Sequence, residues 1–166
     1  MRRLFSRAVV LAAVTVLAAT VLSATASAAP LNETHALQNQ NSFRCLTAQG
    51  TANNAPAFQY TCDFLIDQVW TLVPYAGTGG LGFEIQNNNS KKCLVTQGTA
   101  TNMPAFQYDC AGFPDSAWVK ADELNGQYEL QNLHSGLCLL VQGFDNGTQA
   151  MSYTCDGLAD ELWSGP

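Results

Sequence analysis

Six cysteines fall at positions 45, 62, 93, 110, 138 and 155, so the gaps between them run 17, 31, 17, 28 and 17. That alternation divides the chain into three units, each built on a C-x16-C pair. Self-similarity at a fixed period is the signature of a fold assembled from one repeated piece. The residues around the cysteines repeat as well. Leu37–Gly50 reads LQNQNSFRCLTAQG, Ile85–Gly98 reads IQNNNSKKCLVTQG and Leu130–Gly143 reads LQNLHSGLCLLVQG. Each has an aliphatic residue followed by Gln-Asn, a serine three places before the cysteine, Cys-Leu, and then Gln-Gly. The second cysteine of each unit follows a tyrosine by two places, at Tyr60, Tyr108 and Tyr153. Eight residues beyond that cysteine stands a tryptophan, at Trp70, Trp118 and Trp163.

Six cysteines permit 15 pairings. The repeat symmetry favours Cys45–Cys62, Cys93–Cys110 and Cys138–Cys155. Metal binding is disfavoured, because no C-x2-C pair or Cys/His cluster exists and the two histidines, His35 and His134, stand alone. Turn residues recur about every ten positions, and between them lie short runs such as FEIQN, CLVTQG, AFQYDC and SAWVKA. FEIQ and YELQ alternate apolar with polar, which predicts half-buried strands. Four strands per unit gives about twelve. One unit cannot bury its own apolar face, so the three must close on one another, which also removes exposed strand edges.

The first 28 residues have a different character. MRRLFSR is basic, Ala8–Leu22 is an apolar run of 15 residues, and Ala26 and Ala28 occupy the small-residue positions of a cleavage site. This order predicts a secretory signal peptide over 1–28, too short for a membrane span of about 20 residues. The mature chain, 29–166, is then a single domain. It carries four basic residues against thirteen acidic ones, a balance of −9. A surface so poor in cations argues against nucleic acid and against anionic membranes. Secretion also places the cysteines in an oxidising compartment, where all six are expected to be bridged.

The triplicate QN-x-x-S-x-x-C-L, the aromatic two before the second cysteine and the terminal Gln68-Val69-Trp70 resemble the ricin-type β-trefoil lectin family. Copies two and three keep the tryptophan but write Ser116 and Glu161 where the glutamine would stand. The resemblance covers essentially the whole mature chain. It implies an all-β fold, a β-trefoil of three homologous repeats with pseudo-threefold symmetry (about 35–76, 83–121 and 128–166), and up to three shallow sugar pockets.

In that family an aspartate just after Cys-Leu binds sugar hydroxyls, the aromatic stacks on the sugar ring, and an Asn-Gln pair before the last tryptophan completes the hydrogen bonds. Such pockets use rings for the apolar faces of sugars and carboxylates or amides for their hydroxyls. Carried over residue by residue, the aromatic is Tyr60, Tyr108 and Tyr153. The asparagine position holds Asp67, Asp115 and Asp160, and the glutamine survives only as Gln68. The aspartate after Cys-Leu is replaced by Thr47, Val95 and Leu140. A glutamine three before the second cysteine, Gln59 or Gln107 and replaced by Ser152 in copy three, faces away from the tyrosine in a strand. The candidate sugar-binding residues are therefore Thr47, Tyr60, Asp67, Gln68, Tyr108, Asp115, Tyr153 and Asp160, with copy one the most complete.

Three outcomes remain open at this point. The pockets could be lost, leaving a scaffold; the aspartates before the tryptophans could anchor a sugar; or Gln49, Gln97 and Gln142 could do so, although each precedes a glycine and could simply bend the chain. The tryptophans are expected in the core. Phe58, Phe106 and Met151 share the tyrosines' side of their strands and would form an apolar ledge if exposed. No motif for hydrolysis, phosphate binding or metal catalysis appears, no cofactor is implied, and adjacent acids such as Asp160 and Glu161 point to opposite faces of a strand. The chain reads as a monomeric secreted carbohydrate-binding module and not an enzyme. The alternative is a trefoil that binds or inhibits a secreted protein.

Overall fold

The structure is a computed structural model that describes residues 33–78 and 81–165. The leader expected over 1–28 lies outside the described residues. Among the described residues no helix is long and apolar enough to cross a membrane.

Among the described residues thirteen strands form, one more than expected. Copy one contributes β1 (Glu33–Ala36), β2 (Gln38–Asn39), β3 (Cys45–Ala48), β4 (Ala55–Tyr60) and β5 (Val69–Pro74). Copy two contributes β6 (Phe83–Asn87), β7 (Cys93–Thr96), β8 (Met103–Tyr108) and β9 (Ala117–Leu124). Copy three contributes β10 (Gln127–Asn132), β11 (Cys138–Leu140), β12 (Met151–Tyr153) and β13 (Leu162–Ser164). The extra strand arises because the first strand of copy one is interrupted at Leu37, where copies two and three run through unbroken. β1 pairs with β5 and β2 with β13, so the two fragments together do the work of one strand.

The first and last strands of the copies close a barrel. Going round, β1 pairs with β5, β5 with β6, β6 with β9, β9 with β10, β10 with β13, and β13 with β2. The inner two strands of each copy form hairpins, β3–β4, β7–β8 and β11–β12. These meet one another through β4–β8, β8–β12 and a bridge from Phe58 to Gln149. A six-stranded barrel capped by three mutually paired hairpins is the β-trefoil. All three predicted disulfides form, Cys45–Cys62, Cys93–Cys110 and Cys138–Cys155, each closing a loop worth about 3 kcal/mol in the chain-entropy account.

The repeated residues build this frame. Trp70, Trp118 and Trp163 are fully buried with Leu46, Leu94 and Leu139. Each indole Nε1 donates to the carbonyl of that leucine, at 2.9, 3.0 and 2.9 Å, which satisfies the ring's one polar atom inside the core. The asparagine of each Gln-Asn pair joins two copies. Asn39, Asn87 and Asn132 donate from Nδ2 to the carbonyls of Asp160, Asp67 and Asp115, at the end of the preceding copy. Their Oδ1 atoms accept backbone N–H groups two and three residues on, shaping the turn before the cysteine. Gln59 and Gln107 are buried on the face opposite Tyr60 and Tyr108, as the strand period requires. They pin loops of neighbouring copies, Gln59 at Gly143 and Asp145, Gln107 at Gly50 and Ala52.

One strand expectation needs correction. FEIQ and YELQ were expected to bury one face only, yet Glu84 and Glu129 are buried as well. Each lies beneath the loop after its copy's second cysteine and accepts an N–H from it, from Gly112 at 3.2 Å and Gly157 at 2.8 Å. A buried carboxylate is tolerated when amide donors replace water.

Candidate functional site

The stretch from Tyr60 to Gln68 shapes copy one's candidate site. Tyr60 ends β4 on its outward face and is 39% exposed. The chain then turns through Cys62 and a loop to a single 3-10 turn, Ile66–Gln68. The four candidate residues of this copy, Thr47, Tyr60, Asp67 and Gln68, line one cavity of about 240 Å³ together with Gln49, Asp63 and Leu65. Their shared cavity matches what the sequence grouped together.

Their roles within it differ. Gln68 is buried and its amide holds the loop. Oε1 accepts the N–H groups of Asp63 and Phe64, both at 3.0 Å, and Nε2 donates to the Thr61 carbonyl at 2.8 Å. Thr47 is buried and its hydroxyl donates to the Cys45 carbonyl at 3.2 Å. These two side chains support the wall of the cavity through bonds within the fold. Asp67 is different. Its Oδ1 is buried and has no hydrogen-bond partner among the described residues. An open buried acceptor costs about 1–3 kcal/mol unless a water or ligand donor meets it. Asp63, beside the cavity, is exposed, and its Oδ1 accepts the Leu65 N–H at 3.3 Å.

Copies two and three differ. Tyr108 and Tyr153 are half-buried, as are Asp115 and Asp160, and none of the four lines this cavity or the larger one described below. Val95 and Leu140, in place of Thr47, are buried. Where copy one has Gln68, copy two has Ser116, which donates to Glu84 at 2.7 Å, and copy three has Glu161, which accepts the Asp156 N–H at 2.8 Å. Each copy therefore holds its loop with a different set of side chains. Phe58, Phe106 and Met151 are half-buried where the hairpins meet, so they form no fully exposed ledge. Exposed Gln49 lies at the cavity's edge and also precedes Gly50, whose φ is +80°, so its two candidate roles are compatible. Sequence reasoning missed Asp63 and Leu65, although an acid directly after the second cysteine also occurs in copy three, as Asp156.

Among the described residues two carboxyl groups are electrostatically perturbed. Asp109 is held below the ordinary carboxylate value by hydrogen bonds from Asn53 and Lys92, the latter at 2.6 Å. Glu161 is pushed up to about 7, first by burial and then by the nearby carboxylates of Asp156 and Glu129, against the opposing pull of the Asp156 N–H. Glu84 and Glu129 each lie within 4.8 Å of their copy's two cysteine sulfurs. Those sulfurs are tied in disulfides, and thiolates, not disulfides, are metal ligands.

A model of the ricin-type beta-trefoil lectin domain matches residues 33–163. No curated protein sequence matches the chain. Among solved structures, a designed threefold-symmetric protein, ThreeFoil, superposes with a TM-score of 0.75 at 24% identity, covering 80% of this chain and 96% of that one. An exo-β-1,3-galactanase from Clostridium thermocellum gives 0.74 at 23% identity, covering 80% of this chain and 29% of that one. A non-toxic homologue of type II RIPs from Momordica charantia (bitter gourd), solved with α-methyl-D-galactoside, gives 0.67 at 19%, covering 82% and 48%. At these identities the likenesses show the fold.

Proposed function

Because the chain belongs to the ricin-type beta-trefoil lectin family, we propose that it is a secreted carbohydrate-binding module whose working sugar pocket is the one in copy one. Carbohydrate binding is the family's character; the choice of copy one rests on a single observation. There an exposed tyrosine ring and an aspartate with an open buried oxygen share one cavity. A pyranose offers an apolar C–H face to Tyr60 and a hydroxyl donor to Asp67. Asp63 and Gln49 at the rim supply further hydroxyl partners. Thr47 and Gln68 act by holding the wall in place.

The pockets of copies two and three are proposed to be degenerate, since Tyr108 and Tyr153 are half-buried where Tyr60 is exposed. Three disulfides fit export behind a cleaved leader, 1–28, with 29–166 as the working domain. The ricin-type lectin domain generally binds and does not catalyse, so the pocket, with Asp67 and Asp63 both at it, is proposed to hold a sugar and not to turn it over.

A second reading, docking of a secreted protein, is favoured by one observation. Phe43, Phe64, Leu65 and Ile66 are all exposed around copy one's disulfide, and exposed apolar groups clustered in this way mark interaction surfaces.

The test is binding of oxidised 29–166 to a glycan array, competed by α-methyl-D-galactoside as the first soluble probe because the bitter-gourd neighbour was solved with it. Sugar-competed binding that Tyr60→Ala weakens tenfold or more, about 1.4 kcal/mol, supports the reading, provided Tyr108→Ala and Tyr153→Ala leave it largely intact. Silence across the array refutes it and favours the protein-docking alternative.

A further inference from the structure

A second cavity, of about 450 Å³, opens on the other side of the same loop, lined by Ala36, Gln38, Cys45, Phe64, Val69 and Ser164 among others. Phe64 faces this cavity while Asp63 and Leu65 face the sugar pocket, so the loop is a wall shared by both.

Two departures from the internal repeat create it. Position 36 lies nine residues before Cys45, and the matching positions in the other copies hold Glu84 and Glu129. Those two carboxylates reach within 4.8 Å of their own disulfide sulfurs and accept an N–H from the overlying loop. Ala36 has no such reach, so space is left against Cys45. The second departure is Phe64. Its φ is +58°, a left-handed conformation that bulky residues avoid, and the other copies place Gly112 and Gly157 there, at φ +67° and +72°. Had the phenylalanine arisen to refill the space vacated by the glutamate, its ring would be buried. It is 69% exposed and walls the cavity without filling it. Strain retained beside an open cavity is the pattern of a ligand site.

We propose that this cavity is a second binding site, taking a neutral six-membered ring with one apolar face and hydroxyls at its edge. The lining carries no carboxylate, lysine or arginine, and His35 is its one ionisable side chain, so the site is built mainly for a neutral ligand. Phe64 offers a ring face, and Gln38 and Ser164 an amide and a hydroxyl for the ligand's edge. The chemistry fits a pyranose that continues a glycan held by Tyr60 and Asp67 across the shared loop, and it also fits a phenol. Only the glycan source rests on the sugar-binding reading.

The experiment is a ¹H–¹⁵N NMR titration of oxidised 29–166 with galactose, β-1,3-linked galacto-oligosaccharides and, separately, phenol. The amides of Thr34, Ala36, Ser164 and Gly165 report this cavity; those of Thr47 and Asp63 report the sugar pocket. The expected result is that galactose moves only the second set, while longer oligosaccharides move both and bind about tenfold more tightly through the linked contact. Ala36→Glu places in copy one the residue that two copies already carry, and it should abolish the length preference while galactose affinity stays constant. Phe64→Gly should reduce that preference. Movement of the cavity amides by phenol alone assigns the ring site to an aromatic source instead. No movement of those four amides with any probe overturns the site, whatever the Thr47 and Asp63 amides show, and the latter judge the sugar pocket separately.

Discussion

Glu161→Gln should make the domain more stable at pH 8 and leave it unchanged at pH 4.5. Glu161 is 1% exposed, one oxygen accepts the Asp156 N–H at 2.8 Å, and Oε1 is buried without a partner among the described residues. Burial and the carboxylates of Asp156 and Glu129 raise its pKa from 4.5 to about 7. The folded protein therefore holds a proton that the unfolded chain releases. The stabilisation is fully present below pH 4.5 and is lost as pH rises through about 7. At 1.36 kcal/mol per tenfold the ceiling is about 3 kcal/mol. The loop borders solvent, and screening reduces this to about 1–2 kcal/mol. Glutamine is also what copy one places here, and Gln68 shows what the amide can do: its Nε2 donates to the Thr61 carbonyl at 2.8 Å. By repeat position the matching acceptor in copy three is the Thr154 carbonyl, which glutamine can serve at any pH and a carboxyl only when protonated. Thermal unfolding at intervals from pH 4.5 to 8 should show the two proteins melting together at the acidic end and separating by roughly 3–6 °C at the other. Taking the difference between the curves cancels the other carboxylates. A gap independent of pH, or a glutamine variant less stable at pH 8, would refute the argument.

Further outcomes follow from the frame. Trp70→Ala removes a fully buried indole and its bond to the Leu46 carbonyl, and should cost about 3–5 kcal/mol in urea unfolding. Phe64→Gly relieves a left-handed non-glycine residue whose ring is mostly exposed. It should raise stability by a few tenths to about 1 kcal/mol, since glycine's own chain entropy offsets part of the gain, and thermal melting will show the sign. Reduction of all three disulfides removes about 9 kcal/mol in the chain-entropy account, comparable with the whole stability of a domain this size. Near-UV circular dichroism should therefore collapse at 25 °C once dithiothreitol is added.

The fold was legible because it is written three times. A pattern such as Asn39, Asn87 and Asn132 cannot recur by accident, and each of these residues proved to brace one copy against the end of the preceding one. The cysteine spacing gave the disulfides for the same reason. The misreadings came where an environment arises from residues distant in sequence. Glu84 and Glu129 look outward-facing in an alternating strand, yet loops 28 residues further on fold over them and supply N–H donors. The break at Leu37 has no equivalent in the other copies and left no local signal. Within the candidate site, the sequence brought together Thr47, Tyr60, Asp67 and Gln68 but left their roles unresolved. Gln68 is a plausible ligand residue by type, and only its three bonds to loop backbone reveal that it supports the wall.

Repetition within one chain thus marks the residues that build its frame. The asparagines and tryptophans that recur in all three copies donate to backbone carbonyls of the frame. Among the positions that differ between copies, Thr47, Asp63, Phe64 and Ala36 line cavities in copy one, beside the repeated Tyr60 and Asp67. A trefoil needs three equivalent frames to close its barrel, whereas a ligand needs only one pocket. Once the frame is secured by repetition, divergence confined to one copy costs the barrel little and changes what that copy can bind. The tyrosines illustrate the point: the residue type is shared by all three copies, and Tyr60 is exposed at a cavity whereas Tyr108 and Tyr153 are half-buried. On the proposed reading, the unrepeated loop beside Tyr60 is what makes that tyrosine a binding platform.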